Sequence, residues 1–586
     1  MRAPKASDTD GHVGFARRTA GARPWTAGLS LLLAGFLAAF LIAPVLRGVG
    51  SGFLLDGRPS GYWFARVVEN RALMSELGNG VLLAAATTAV CMLLAVPLAV
   101  LRARCAFRGQ GVLGMLVMVP LILPPFVGAI SMKRLLGQFG VVNLILERLG
   151  VVDPTAALPP DWLGSGFAGV VILQSLHLFP ILYLNASAAL ANIDPAYVQA
   201  ARNLGASPLR TFFRITLPLM RPGLFAGATL VFIWAFTDVG TPAIIGYEHV
   251  APVTIFHELA NADVSPRTYS LVFIMLSGSV TLYVLGKFLF GRAAAQEASK
   301  ATIAAETRRL GPAGTCLAWL LFGGVVLLAL LPHAGVVLLG LADRWVNSIL
   351  PASYTLRHLK FVVTNPETTG SIFNSLKYAS VSTGADMLLG GLAAWLIVRA
   401  KVRGRTLLDG LCMLPLAVPG LILAAGYVAM TAPGTWLEAI GPTRNPFALL
   451  AIAYAVRRLP FVVRGVSAGL QQVPESLEEA ARNLGASRLS AAVRITVPLI
   501  AANLIAAGVL TFAFAMLEVS DSLILAQTPD YYPITKQIFR LATSTGSPEA
   551  ANQAAAMGVY GMILLGGTMS LASALLGKKL GTIFRA

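Results

Sequence analysis

Charge is scarce in this chain: Asp, Glu, Lys and Arg make up only 12% of 586 residues, against 56% that are hydrophobic. A water-soluble globule of that length needs a larger polar surface, so a soluble fold is excluded. Side chains that bind metals or perform catalysis are few. The six histidines show no His-x-x-x-His or related spacing, and Cys91, Cys105, Cys316 and Cys412 stand singly in apolar or basic surroundings. That pattern gives no zinc site, redox pair or disulfide framework, so the cysteines are expected to be packing residues and no metal site is expected. No Gly-x-x-x-x-Gly-Lys-Ser/Thr occurs, so the usual backbone cradle for ATP phosphates is missing. With no polar segment large enough for an active site, the chain is not expected to be an enzyme.

What it has in excess is apolar runs near the ~20 residues that cross a bilayer, with a mean hydropathy of +0.72. Twelve spans are expected, at about 26–46, 79–101, 111–132, 166–185, 223–246, 269–290, 315–341, 374–398, 407–430, 446–466, 501–526 and 555–577. The first apolar run is long for a cleaved signal and has a counterpart deep in the chain, so it is expected to be retained. With both termini inside, the inner segments hold about twice as many cations as the outer ones, which fixes the orientation. The net charge of +18 then reflects topology and contact with anionic lipid, and no nucleic-acid partner is expected.

Residues 291–312, GRAAAQEASKATIAAETRRLGP, form a small, polar, charged linker between two sets of six spans. The expected organisation is an N-terminal tail (1–25), a first half (26–290), the linker (291–312), a second half (313–577) and a C-terminal tail (578–586), with the tails and linker cytoplasmic. Six being even, the halves share one orientation. Asn79 matches Asn374, and Pro120 and Pro124 match Pro415 and Pro419, all 295 residues apart; by Pro180 and Pro460 the offset is 280.

The segment that drifted least is polar. QAARNLGASPLRTFFRITLP at Gln199–Pro218 returns as EAARNLGASRLSAAVRITVP at Glu479–Pro498, with AARNLGAS identical. An element preserved between diverged membrane segments is a loop that touches something. Asp194 suits the N-cap of a short helix, Pro195 its first position, and Gly205 and Gly485 the left-handed turn that ends it. This pattern, Glu-Ala-Ala, three residues, Gly, nine residues, Ile-x-Leu-Pro, resembles the EAA loop of ABC-importer permeases, with Gln199 in place of Glu in the first copy and Val497 in place of Leu in the second. The resemblance implies an all-α integral membrane protein of two parallel six-helix repeats, the type I ABC-importer permease fold. It further implies that Gln199, Ala200, Ala201 and Gly205, with Glu479, Ala480, Ala481 and Gly485, couple to two copies of an ABC ATPase subunit. ATP would be used by that partner, and this chain would bind no cofactor. A periplasmic or extracellular substrate-binding protein would deliver the cargo, and the location would be the bacterial cytoplasmic membrane.

FTDVGTPAIIGY at Phe236–Tyr247, LLDGLCMLPLAVPGLILAAGY at Leu407–Tyr427 and EVSDSLILAQ at Glu518–Gln527, in a fused chain, resemble the permeases of ferric-iron importers most; thiamine, phosphonate, phosphorylated-sugar and polyamine permeases are the alternatives. A secondary transporter of 6+6 architecture is the alternative from another class. Its acidic signature between the second and third spans is missing from LRARCAFRGQ and VRAKVRGRT. Ionisable groups inside spans are costly and usually functional. In the resembled family the fifth span of each half lines the pathway, which implies that Asp238, its counterpart Glu518 and nearby Asp521 lie on the translocation route, as oxygen donors that suit a hard cation; the alternative is that they cap or pair locally near the outer surface. Arg457 and Arg458 face either a water-filled mouth or an ion pair, and the prolines of VPLILPPFVG and LPLAVPGLIL are expected to kink the third span of each half.

Overall fold

The computed structural model describes residues 24–152, 158–260, 264–296, 307–544, 547 and 549–576. The expected C-terminal tail, almost all of the N-terminal tail and the middle of the linker lie outside these. The described residues are mostly helical, and their strands form three two-stranded ribbons of two or three residues a strand. The first half contains α1 (Trp25–Ser51), α2 (Arg71–Arg104), α3 (Gln110–Ile122), α4 (Pro125–Leu136), α5 (Phe167–Ala191), α6 (Pro195–Asn203), α7 (Pro208–Phe236), α8 (Gly240–Ile245), α9 (Ala251–Leu259) and α10 (Pro266–Gln296). The second contains α11 (Pro312–Leu341), α12 (Arg357–Thr364), α13 (Pro366–Val398), α14 (Arg405–Leu416), α15 (Gly420–Met430), α16 (Phe447–Gln472), α17 (Glu475–Asn483), α18 (Ala492–Leu499), α19 (Ala501–Met516), α20 (Ser520–Leu525), α21 (Ile534–Thr543) and α22 (Ala550–Leu576).

Among the described residues seven helices are long and apolar enough to cross a membrane, or nine if each of two bent pairs counts as one crossing. The difference from the twelve expected has physical causes. α14 meets α15 at 98° and α18 meets α19 at 69°, the first at the Pro415–Pro419 break, where a missing N–H and the ring clash end the helix. In the first half the same break, at Pro120 and Pro124, splits the expected 111–132 span, and the crossing stretch instead runs over Pro125–Arg148. α16, at 26 residues, carries Arg457, Arg458 and Arg464. α10 and α22 have 31 and 27 residues, ample length at about 1.5 Å per residue.

The duplication survives in contacts. Asn79 donates to the His249 carbonyl at 3.0 Å, and its counterpart Asn374 donates to the Asp530 carbonyl at 2.7 Å. The fourth and fifth spans approach at two equivalent places, one residue being small at each. A Cβ on Gly227 would lie 2.9 Å from Asn185 Cβ, and one on Gly223 2.6 Å from Ala189 Cβ. In the second half the small residue has changed sides: a Cβ on Gly465 would lie 2.8 Å from Ala507 Cβ, and one on Gly469 3.0 Å from Asn503 Cβ. Lipid is as apolar as the helices, so close backbone approach is what holds them together.

The two halves exchange their first spans. α1 lies on α15 and α13 of the other half: Tyr427 of α15 donates to the Phe40 carbonyl at 2.5 Å, a Cβ on Gly426 would sit 2.3 Å from the Pro44 carbonyl oxygen, and Trp25 stacks on Trp395 of α13 at 5.6 Å. Reciprocally, α11 lies on α4, with Ser131 Oγ donating to the Pro332 carbonyl at 3.0 Å.

The glycine exchange gives a compensation test. Gly465→Ala is expected to cost about 1–3 kcal/mol by overpacking, and adding Ala507→Gly, which recreates the first-half arrangement, to return most of it. Thermal unfolding in detergent checks this; a double variant no more stable than the single one would mean that the contact does not set the packing.

Candidate functional site

The two repeated loops have the same backbone. In the first, the Asp194 carboxylate accepts the Ala196 N–H at 2.9 Å, Pro195 opens α6, and Gly205 ends it at φ +79°. In the second, Pro474 stands where Asp194 does, so no side chain caps α17, and Gly485 ends that helix at φ +92°. The expected left-handed glycines are present in both copies. A bond from the residue after each glycine closes the turn, Ala206 N–H to the Ala201 carbonyl and Ala486 N–H to the Ala481 carbonyl, both 3.0 Å. Beyond, Phe212–Thr216 and Ala492–Thr496 each make a π-helical turn into the fifth span. Gln199, Ala200, Glu479 and Ala480 are exposed, whereas Ala201 is buried and Ala481 half-buried. Leu204 and Leu484, at the tips, are 88% and 90% exposed.

The loops differ in charge. Arg399 Nε lies 3.4 Å from the Glu478 carboxylate, Thr496 Oγ1 donates to it at 2.6 Å, and Lys401 pairs with Glu475 at 3.0 Å. In the first half the Glu478 position is Val198, and Arg104 reaches Thr216 directly. The second loop is thus tied to the end of its second span by ion pairs. Glu479 itself has no cation among the described residues.

The second candidate is inside the membrane domain. Arg457 Nη1 lies 2.6 Å from Glu518 and 3.3 Å from Asp521, and Arg458 binds the other oxygen of Glu518 and the Phe514 carbonyl, the latter at 3.0 Å. The carboxylate side chains are 3% and 0% exposed. Arg457 fits there because residue 420 is glycine: a Cβ would lie 2.0 Å from its Nη1. Tyr454 shares a 2.5 Å hydrogen bond with Ser522 at the edge of the cluster. The alternative left open for Arg457 and Arg458 thus resolves to an ion pair. Two cations against two carboxylates make the cluster self-neutralising, which a low-dielectric interior requires.

At every corresponding position the first half is uncharged apart from its one carboxylate. Asp238 accepts from Gln174 at 3.1 Å and from the Gly240 N–H at 3.0 Å, in the break between α7 and α8. Gln174, His177, Leu178 and Thr241 stand where Tyr454, Arg457, Arg458 and Asp521 do. One turn before the two carboxylates, the counterparts Trp234 and Phe514 meet edge to face at 6.5 Å, bringing the fifth spans of the two halves together. Asp238 and Glu518 are thus each held within their own half. No group of three or more metal-ligating side chains occurs among the described residues.

Sequence reasoning missed Asp386, on α13. It is fully buried with both carboxylate oxygens unpartnered, and the rule that marked Asp238, an acid inside a span, applies to it equally. The Arg–Glu pairing also left a signal: both partners are present in the second half and the arginines are absent from the first.

Residues 95–295 and 386–582 each match the family described as binding-protein-dependent transport system inner membrane component. A duplicated, multi-pass membrane component of a transport system is the class that fold and loops define. The chain belongs to that family. It is 27% identical over 465 residues to a ferric transport system permease protein of Actinobacillus pleuropneumoniae, covering 78% of this chain and 65% of that one. A probable ABC transporter permease protein of Sinorhizobium fredii is 26% identical over 94% of this chain and 95% of its own length. A probable molybdenum ABC transporter permease protein of Haloferax volcanii is 31% identical over 44% of this chain and 90% of its own length. The chain thus spans somewhat less than two thirds of the length of the ferric relative.

Removing one partner of a buried pair leaves the other charge stranded. Glu518→Gln is expected to destabilise the protein by about 3–5 kcal/mol, whereas Asp238→Asn, which keeps an acceptor for the Gly240 N–H, should cost within about 1 kcal/mol. Thermal unfolding of the two purified variants compares them; equal losses would contradict the difference in charge neutralisation.

Proposed function

We propose that this chain is the permease of an ATP-driven ABC importer in the bacterial inner membrane. A binding protein outside delivers cargo to one face, and two copies of an ABC ATPase dock on the loops at Gln199–Gly205 and Glu479–Gly485 on the cytoplasmic face. ATP is bound and hydrolysed by that partner. The observation that carries this reading is the pair of backbone-matched loops, each presenting an almost fully exposed leucine at its tip. Exposed apolar side chains at a preserved polar loop mark a protein contact. Around each tip the apolar surface continues, through Tyr197, Leu209 and Phe213 in the first loop and Leu477 and Val493 in the second.

Ferric iron is the proposed cargo, on the ferric transport relatives and the fused layout. The buried carboxylates do not form a resting site for the ion, because arginines occupy Glu518 and Asp521. Cargo then passes where the fifth spans part, at Trp234 and Phe514, and the carboxylates one turn beyond act on the outer side of that contact.

The two loops contribute unequally. Glu479 is exposed and free to pair with a cation of the ATPase, which Gln199 cannot do. Such a charge pair, once desolvated at an interface, is worth about 2–5 kcal/mol to truncation. In proteoliposomes holding permease, ATPase and binding protein, Glu479→Ala is expected to reduce binding-protein-stimulated ATP hydrolysis much more than Gln199→Ala. Equal losses would remove the inequality, and no loss in the double variant would remove the docking assignment.

The glycines offer a second check. A Cβ on Gly205 or Gly485 meets nothing within 4 Å, so alanine there acts through φ alone, at about 1 kcal/mol each. Gly205→Ala with Gly485→Ala should lower ATPase retention in a pull-down while leaving the permease monodisperse; unchanged retention would make the turns incidental to docking.

A further inference from the structure

At the end of the membrane domain away from the repeated loops, a cavity of about 840 Å³ opens between the two halves. Its position follows from the helix directions. α11 starts beside the ribbon that pairs Cys105–Ala106 with Arg308–Arg309, where α2 ends at the loops, so the far end of α11 lies opposite them. The walls come from the end of α4, the end of α11, α12 and the start of α22. Lys133, Arg134, Arg344 and Arg357 line it, against the two acids Asp343 and Glu549.

The acids are not available to neutralise the wall. Both are taken by Arg357, at 3.3 Å and 2.8 Å. Lys133, Arg134 and Arg344 have no carboxylate within ion-pair reach among the described residues, and Arg134 lies over the Trp345 ring at 5.8 Å. His358, also in the wall, is 1% exposed, with its Nε2 3.2 Å from the Ala342 carbonyl. Three cations outside ion-pair reach of any carboxylate, in a wall whose own acids are taken by Arg357, turn N–H donors toward whatever enters the cavity.

The duplication supplies a control. At the equivalent positions, 295 residues away, Lys133, Arg134, Arg357 and His358 are replaced by Val428, Ala429, Tyr62 and Trp63. The seam between α1 and α10 there is closed: Ser270 Oγ donates to the Gly52 carbonyl at 2.7 Å, and a Cβ on Gly52 would lie 2.6 Å from the Ser270 nitrogen. One of two related seams is open and basic, the other shut and apolar, so the charge is not a general property of this face.

We propose that the cavity is an oxyanion site, taking a compact group with several anionic oxygens around one centre. Guanidinium groups match that shape with paired N–H donors, while the ammonium of Lys133 adds a point charge. The source is either a free tetrahedral oxyanion or the phosphodiester of an anionic lipid headgroup. The site stands independently of the cargo proposed above.

The test uses the full chain in nanodiscs of phosphatidylcholine, titrated calorimetrically with phosphate, sulfate and molybdate, and in nanodiscs containing phosphatidylglycerol, with retained lipid read by native mass spectrometry. The comparison is with Lys133→Gln/Arg134→Gln/Arg344→Gln, which leaves Arg357 on its two acids. The wild type is expected to bind a free oxyanion, or to retain phosphatidylglycerol, at least about tenfold more strongly than the triple variant, and the arm that responds names the source. Arg344→Gln alone, at an exposed position of a two-stranded ribbon, serves if the triple variant does not fold, and should lose part of the same signal. Wild type and folded variant behaving alike in both arms would overturn the proposal.

Discussion

Two arginines on one helix neutralise two carboxylates on the neighbouring segment inside the membrane domain, and the geometry of the second half follows from that pairing. Arg457 needs the space left by Gly420, the first residue after the Pro415–Pro419 break. Arg458 binds the Phe514 carbonyl, so α16 is fixed against the residue that meets Trp234 of the other half. Backbone groups join in: the Glu518 carbonyl accepts from Ser522 at 2.7 Å and from Thr535 at 2.6 Å, which ties α20 and α21 to the same point. Charges with these partners are stable in hydrocarbon; with any one of them removed, they are not.

The first half solves the same packing problem without arginines. Gln174 and backbone N–H groups hold Asp238, and water can replace any of those bonds once a gap opens. Breaking the second-half cluster strands charges that water must then reach. The loops repeat this division, Arg399 and Lys401 holding α17 through Glu475 and Glu478 while α6 relies on a cap from Asp194. A chain that arose by duplication thus holds its buried carboxylates by arginines in one half and by hydrogen bonds in the other, the two joined by exchanged first spans.

Much of this was legible in the sequence. Hydropathy marks the helices because a bilayer imposes a length. The loops declare themselves by repetition, and the left-handed glycines by their place after a short capped helix. Hydropathy does not see a 98° bend, however, so the twelve expected crossings include broken ones that proline only hinted at. Nor does it see rotation about a helix axis: Arg457 and Glu518 are 61 residues apart, and only the facing of α16 against the break after α19 shows that they meet. The basic cavity was invisible for the same reason, its cations being spread from Lys133 to Arg357.

The reading of the chain as a permease rests on what the two loop tips touch. With the four native cysteines replaced and Leu204→Cys or Leu484→Cys introduced, cross-linking in membranes that contain the co-expressed ATPase reads this directly. The account predicts that each tip cysteine links to an ATPase subunit, one copy per loop. Labelling of both tips by a water-soluble thiol reagent, with no cross-link to the ATPase from either, would contradict it.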